Sequence, residues 1–225
     1  LPSTHLFENL QHLFEQHNVM RALKNSFATT ILQTVLALAV SSIAGYGFEI
    51  YHDKAKDTVM AILMLAMMVP FVAVLVPLFQ MFTKAKLINS WAGFIMPSIA
   101  TPFLIMYFRN SARSFPRDTL EAARIDGLNE FQIFIRMFIP MMKPTYASAA
   151  TITFMNAWNA YLWPKVIMQT NQAITMPMLV ANTMGGYVID YGVVMAAVTI
   201  CSLPTVIIFF CLQKSFTNAV AGAVK

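Results

Sequence analysis

Charge is what this chain of 225 residues has least of. Asp, Glu, Lys and Arg together make up 11% of it, against 58% apolar residues. A soluble domain is about one-quarter charged and about half apolar. Water-soluble packing cannot hide so much apolar surface in so short a chain, so a bilayer is the better solvent. The net charge of +5 is spread out with no basic run, which leaves a nucleic-acid surface without support. Cysteine is scarce as well. Cys201 and Cys211 share one apolar run and show no metal or redox spacing, so both read as small packed or lipid-facing residues. His5, His12, His17 and His52 lie outside the apolar runs without an i, i+4 pair. They read as surface side chains, and neither a metal site nor a cofactor of the chain's own is expected. The first residue is Leu1, and no basic start with a small-residue cleavage site precedes the first apolar run. The chain is therefore expected to be N-terminally incomplete or processed.

What is abundant is uncharged length. A spanning helix needs about 20 largely apolar residues. Asn25–Phe48, Thr58–Thr83, Leu87–Phe108, Pro144–Pro164 and Tyr191–Gln213 each contain no acid, base or histidine. They predict an all-α, polytopic membrane helix bundle with five spans. A sixth uncharged stretch, Val166–Ile189, is polar and broken, with Gln169, Asn171, Gln172, Pro177, Gly185 and Gly186. It reads as an extramembrane loop (166–190) with short helical pieces. Pro70, Pro77, Pro97, Pro102 and Pro204 interrupt the spans. Each removes a backbone donor and kinks its helix, which suits either packing or a protein that opens and closes.

Lys and Arg distribution orients the bundle. Ten fall on the side that carries Lys54, Arg109, Arg124 and Lys225, and five on the side of Arg21, Lys84 and Lys165. The richer side is expected to be cytoplasmic, with Leu1 outside and the C-terminal tail (215–225) inside. An outside start is repaired most simply by a missing N-terminal span. Residues 1–24 then form an external segment. Leu6, Phe7, Leu10, Leu13 and Phe14 make it an amphipathic helix face that packs at the membrane surface.

One charged segment, 117–140, stands between apolar spans within the transmembrane region (25–214). Pro116 sits at a helix start, where its missing N–H costs little. Asp118 and Glu121 fall in the first turns, which favour anions. Ala122 and Ala123 form a small face. Gly127 can take the left-handed conformation that ends a helix. Asn129 then caps a second helix, with Gln132 completing a capping box. Phe131, Phe134, Ile135 and Phe138 form its stripe, and Pro140 is expected to stop it. On the residues alone, this is either an interfacial connector covering the bundle or a surface whose Phe131 and Phe134 fill a partner's pocket.

The same segment resembles the EAA loop of permease subunits in binding-protein-dependent ABC importers. That pattern is Glu-Ala-Ala, three residues, Gly, nine residues, then Ile-x-Leu-Pro. It is matched by Glu121, Ala122, Ala123, Gly127 and Pro140, with Asp126 before the glycine. Met137 and Ile139 replace the isoleucine and leucine. More of the chain is similar to the sugar-importing, maltose-type permeases of the smaller subunit. Leu23–Phe27 (LKNSF) resembles the start of their second span and Asn156–Pro164 (NAWNAYLWP) a WNxFLWP signature. Ala219–Lys225 (AVAGAVK) resembles an LTAGAVK tail.

The resemblance implies a type I importer fold in a bacterial or archaeal cytoplasmic membrane. It implies a second permease, two ATPase subunits that bind the ATP and Mg, an external solute-binding protein and a sugar substrate. This subunit would hydrolyse nothing. Its helices around Gly127, with Phe131 and Phe134, would dock on an ATPase subunit. Asn171, Gln172, Gly185 and Gly186 would meet the binding protein, and the tail would reach between the ATPase subunits. For the solute path the residues offer Asn156 and Asn159, three apart in the fourth span, beside Trp158 and Tyr161. Polar residues in a span usually face inward, although helix–helix hydrogen bonds and an interfacial aromatic belt are the structural alternatives. A secondary transporter or channel, or a non-transporting assembly subunit, is the rival class. Proton coupling would need intramembrane acids or bases, and the five spans carry none.

Overall fold

The computed structural model describes residues 5–185 and 189–222, residues 212–222 by backbone alone. Gly186 and the end of the tail, 223–225, lie outside them. Every regular element among the described residues is helical.

The chain opens with α1 (His5–Gln16) and α2 (Val19–Ile50). The second helix starts six residues before the expected Asn25, so residues 1–24 are not one segment. The reason is a cap that the apolar pattern hides: Asn18 Oδ1 accepts the Arg21 N–H at 3.0 Å, as an N-cap should. At about 1.5 Å per residue, its 32 residues exceed the apolar thickness of a bilayer.

The second and third expected spans are each broken. Thr58–Thr83 becomes α3 (Lys54–Ala66) and α4 (Phe71–Lys84). Pro70 has no N–H to continue α3 and disfavours helix at Val69. Leu87–Phe108 becomes α5 (Trp91–Ile95), a 3₁₀ turn at Met96–Ser98 and α6 (Pro102–Ala112), with Pro102 in the first turn of α6. Pro77 and Pro204, by contrast, sit inside continuous helices. Then come α7 (Arg117–Ile125), α8 (Glu130–Ile133), a π-helical stretch at Phe134–Phe138, α9 (Ile139–Met141) and α10 (Lys143–Trp158). The expected polar loop consists of short pieces: α11 (Leu162–Ile167), a 3₁₀ turn at Asn171–Ala173 and α12 (Met176–Thr183). The last helix is α13 (Tyr191–Gly222). Among the described residues, two helices are long and apolar enough to cross a membrane, or up to four if each broken pair is one span. The fourth expected span has only the 16 residues of α10 for its helix.

Two compact units divide the chain. The first comprises the described residues of Leu1–Gln33, Leu75–Pro97 and Phe154–Cys211. Leu13, Ala22, Trp158, Met176, Val193 and Ala197 build its core. Leu13 is fully buried while Leu6, Phe7 and Phe14 stay exposed, so the apolar face of α1 is divided between core and surface.

The second unit comprises the described residues of Thr34–Val74, Ser98–Thr153 and Leu212–Lys225. One of its clusters joins Tyr46, Phe115, Ile133, Phe134, Phe138 and Met142. Another joins Ala37, Leu104, Phe108 and Ala149. Gly45 lets α2 touch α6: a Cβ there would lie 2.6 Å from Phe108 Cβ and 2.7 Å from the Arg109 backbone nitrogen. Small residues at helix contacts are how membrane helices approach closely. Beside that contact, Arg109 is 6% exposed. It donates from Nε to Glu49 at 3.3 Å and from an Nη to Asp57 at 2.5 Å. Arg113 donates to the same Glu49 at 3.4 Å, and His52 pairs with Asp57 at 2.9 Å.

Candidate functional site

The charged segment builds a surface from two short helices and a tight hinge. Pro116 stands at the N-cap of α7 and Asp118 lies in its first turn. At the other end, Gly127 N–H donates to Arg124 C=O at 3.1 Å and Leu128 N–H to Ala123 C=O at 3.0 Å. That pair of bonds is a Schellman motif. It requires a left-handed residue, and Gly127 has φ +81°. Asn129 then starts α8. Its Oδ1 accepts the Gln132 N–H at 2.9 Å, and Gln132 Oε1 accepts the Asn129 N–H at 3.0 Å. Both the hinge and the capping box therefore stand where the residue spacing places them.

The second helix departs from expectation in two ways. It does not stop at Pro140. It continues through a π-helical turn at Phe134–Phe138 into α9, which contains Pro140 in its first turn. Pro140 offers no N–H to the turn before it, and the π-helical stretch stands where that backbone bond is missing. The aromatic stripe is also split. Phe134 and Phe138 are buried, and Tyr46 meets their rings edge-on at 5.3 and 4.9 Å. Phe131 and Ile135 lie on the neighbouring arc, 69% and 44% exposed. The alanines divide likewise: Ala123 is buried at 1% exposure, whereas Ala122 faces outward with Glu121 and Asp126.

The outward face carries a residue absent from the sequence expectations. Ile125 is 86% exposed, one turn beyond Glu121 and turned away from buried Leu120 and Ala123. The signal was its helical phase, out of register with the apolar positions of α7. Glu121, Ala122, Ile125, Asp126 and Phe131 thus lie exposed, two acids among apolar side chains. Arg124 Nε donates to Glu130 at 2.8 Å across the hinge, and the Tyr46 hydroxyl donates to the same carboxylate at 3.4 Å. Burial works against the Glu130 charge, but hydrogen bonds from Tyr51 and Arg124 outweigh it and hold the carboxyl below its usual range.

The four residues offered for a solute path separate. Trp158 belongs to the core of the first unit, 1% exposed. Its indole N–H donates to Cys201 C=O at 2.9 Å, and its ring stacks on Phe154 at 5.8 Å. Asn156 and Asn159 are exposed. Asn159 and Tyr161 line an open cleft of about 450 Å³, which Ser202 and Thr205 of α13 and Pro177 of α12 complete. Ser202 and Thr205 were not assigned to the path because they lie in an otherwise apolar run.

The polar loop is fastened to its own unit. Asn25 Nδ2 donates to Gln172 C=O at 2.8 Å and Ile174 C=O at 2.9 Å. Asn89 Oδ1 accepts from the backbone N–H groups of Gln169 and Thr170, and Ser26 Oγ accepts from Met176 N–H at 2.8 Å. The side chains of Asn171 and Gln172, and Gly185, remain exposed.

Comparison with known proteins adds a family to this geometry. The family described as "Binding-protein-dependent transport system inner membrane component" matches residues 37–222. The lactose transport system permease protein LacG of Rhizobium radiobacter is 40% identical over 222 residues, covering 99% of this chain and 81% of that protein. The arabinooligosaccharides transport system permease protein AraQ of Bacillus subtilis (strain 168) is 33% identical, covering all of this chain and 80% of that protein. In fold, the chain resembles a bacterial ABC transporter involved in the import of the acidic polysaccharide alginate. The TM-score is 0.84 at 21% identity, over 92% of this chain and 79% of the other.

Proposed function

Because the chain belongs to the family of binding-protein-dependent transport system inner membrane components, we propose that it is one permease subunit of an ATP-driven importer of a sugar or oligosaccharide. It is a transport permease of a cytoplasmic membrane and not an enzyme. Its relatives named for lactose and arabinooligosaccharide transport support the solute class. A second permease completes the path, two ATPase subunits bind ATP and Mg, and an external protein delivers the solute.

Coupling runs through the hinged pair α7–α8. The observation that carries this is the exposure of Ile125 and Phe131, 86% and 69%, beside Glu121 on helices fixed by a Schellman hinge and a capping box. Large apolar side chains presented on a charged segment mark a contact surface. An ATPase subunit receives them, and its closure moves the segment as a body. Phe134 and Phe138 carry that motion inward, since they pack on Tyr46 of α2. The solute passes the cleft of Asn159, Tyr161, Ser202 and Thr205, with Asn156 on the same approach. Five spans cross the bilayer, with the α7–α8 side and the C-terminus cytoplasmic. The exposed edge of the polar loop, Asn171 and Gln172 with Gly185, meets the binding protein, and the tail enters between the ATPase subunits.

The test is reconstitution with the ATPase subunits and binding protein in proteoliposomes. Ile125→Asp and Phe131→Asp should abolish solute-stimulated ATP hydrolysis and ATPase co-purification while membrane insertion is unchanged. Wild-type coupling in both variants would overturn the proposed surface.

A further inference from the structure

The polar loop of the first unit has an exposed tip between buried anchors. Gln169–Gln172 stand in the open, with Ile167 and Met168 buried before them and Thr175 and Met176 buried after. Backbone polar groups need partners, and an exposed loop ordinarily takes them from water. Here the main chain on both sides of the tip takes them from other elements of the same unit.

Asn89, in the turn between α4 and α5, holds the leading side. Its N–H donates to Ile167 C=O at 2.9 Å, and its Oδ1 accepts Gln169 N–H at 2.5 Å and Thr170 N–H at 3.2 Å. Asn89 has φ +55°, a left-handed conformation that asparagine tolerates and most side chains do not. Asn25 and Ser26, near the start of α2, hold the trailing side. Asn25 Nδ2 donates to Gln172 C=O and to Ile174 C=O, and Ser26 Oγ accepts Met176 N–H. The turn that carries Asn89 is itself fixed. Ser90 caps α5, and the Trp163 indole N–H donates to Gly93 C=O at 3.0 Å, which ties α11 to α5.

We infer that Asn89 and Asn25 are positioning residues for the external binding protein: they hold Gln169–Gln172 in one conformation before that protein arrives. This rests on the permease reading and on the contact assigned above to the loop, and adds how that contact is prepared. A contact surface ordered in advance loses less entropy when it is occupied, and so binds more tightly through the same contacts. The two asparagines use opposite ends of the carboxamide. Backbone N–H groups only donate, so Asn89 presents its oxygen; carbonyls only accept, so Asn25 presents its nitrogen. Aspartate can therefore stand in for the first and not for the second.

The experiment uses the assembled transporter in proteoliposomes. A spin label at Asn171→Cys, in a background of Cys201→Ala and Cys211→Ala, reports motion of the tip without binding protein. In unlabelled variants, ATP hydrolysis is titrated with the binding protein in the presence of lactose or an arabinooligosaccharide. Asn89→Gly keeps the left-handed backbone and its N–H but removes the acceptor. It should mobilise the label and raise the half-saturating concentration of binding protein about fivefold, the order expected for one lost hydrogen bond. The maximal rate should not change. Asn89→Asp should match the wild type in both measurements, and Asn25→Asp, which cannot donate, should behave like Asn89→Gly. A label that stays immobile in Asn89→Gly, or an Asn89→Asp variant as loose as Asn89→Gly, would overturn the clamp. A mobilised label with an unchanged half-saturating concentration would overturn the positioning role and leave the permease reading standing. A wild type whose ATP hydrolysis responds to the binding protein with neither sugar would overturn the sugar-permease reading itself, and this inference with it.

Discussion

Arg109 lies between two carboxylates contributed from 52 and 60 positions away, and its removal leaves Glu49 with Arg113 and Asp57 with His52. Arg109→Met should lower stability by about 3 kcal/mol. That is the low end for breaking a buried ion pair, because Asp57 is half in water. The midpoint of thermal unfolding in detergent measures it. The hydrogen bond from Arg109 holds the Asp57 carboxyl below its usual range. A carboxyl with a lowered folded value stabilises above its unfolded value of about 3.9, and that contribution is lost as pH falls through the folded value. The unfolding midpoint should therefore drop as the buffer is taken below about pH 4, and less so in Asp57→Asn. An equal drop in the variant would place the acid sensitivity elsewhere. None of this network was legible in the sequence. Glu49, Asp57 and Arg109 each sit one residue beyond an uncharged run, and the sequence does not say which ends meet.

Among elements, the α7–α8 hinge was legible nearly residue by residue, because caps are local. Gly127 and the Asn129/Gln132 box need only their neighbours in the chain. The distribution of Phe131, Phe134, Ile135 and Phe138 was not legible. A π-helical turn changes the angular step, so helical phase carried through it assigns faces wrongly. Nothing lies within 4 Å of a Cβ added at Gly127, so Gly127→Val should act through the backbone alone. A left-handed valine costs about 1–3 kcal/mol. The expected result is normal insertion with solute-stimulated ATPase activity reduced severalfold, while Gly127→Asn, which tolerates that conformation, should stay close to wild type. The α2–α6 contact offers a matched pair. Gly45→Ala forces the two helices apart and should cost about 1–3 kcal/mol. Gly47→Ala meets nothing within 4 Å and should be neutral or slightly stabilising. Equal unfolding midpoints for the two variants would show that the close approach carries no weight.

At the scale of the molecule, the membrane as solvent followed from composition, and the all-helical class from the length of the uncharged runs. The breaks at Pro70 and at Met96–Thr101 did not, although the prolines were visible, since a proline permits either a kink or a stop and neighbouring packing decides. Orientation is testable with single cysteines at Glu8 and Asp126, in a background carrying Cys201→Ala and Cys211→Ala. An impermeant maleimide applied from outside should label position 8 and leave position 126 untouched until the membrane is opened. Labelling of position 126 in sealed cells would invert the topology.

The interleaving of the two units sets a timetable for biosynthesis. Leu13, Val19 and Ala22 share a core with Phe154 and Trp158, and find the last of their partners in Met176, Leu179, Val193 and Ala197. At a synthesis rate of about 5–20 residues per second, the earliest helices wait roughly 9–35 s for those partners to be made. During that interval the insertion machinery must hold α1 and the start of α2 apart from other nascent apolar segments. A chain truncated after α10 never receives the second half of that core. It should be cleared by membrane proteases far faster than the full chain, which pulse-chase labelling would reveal as a half-life set by when synthesis stopped.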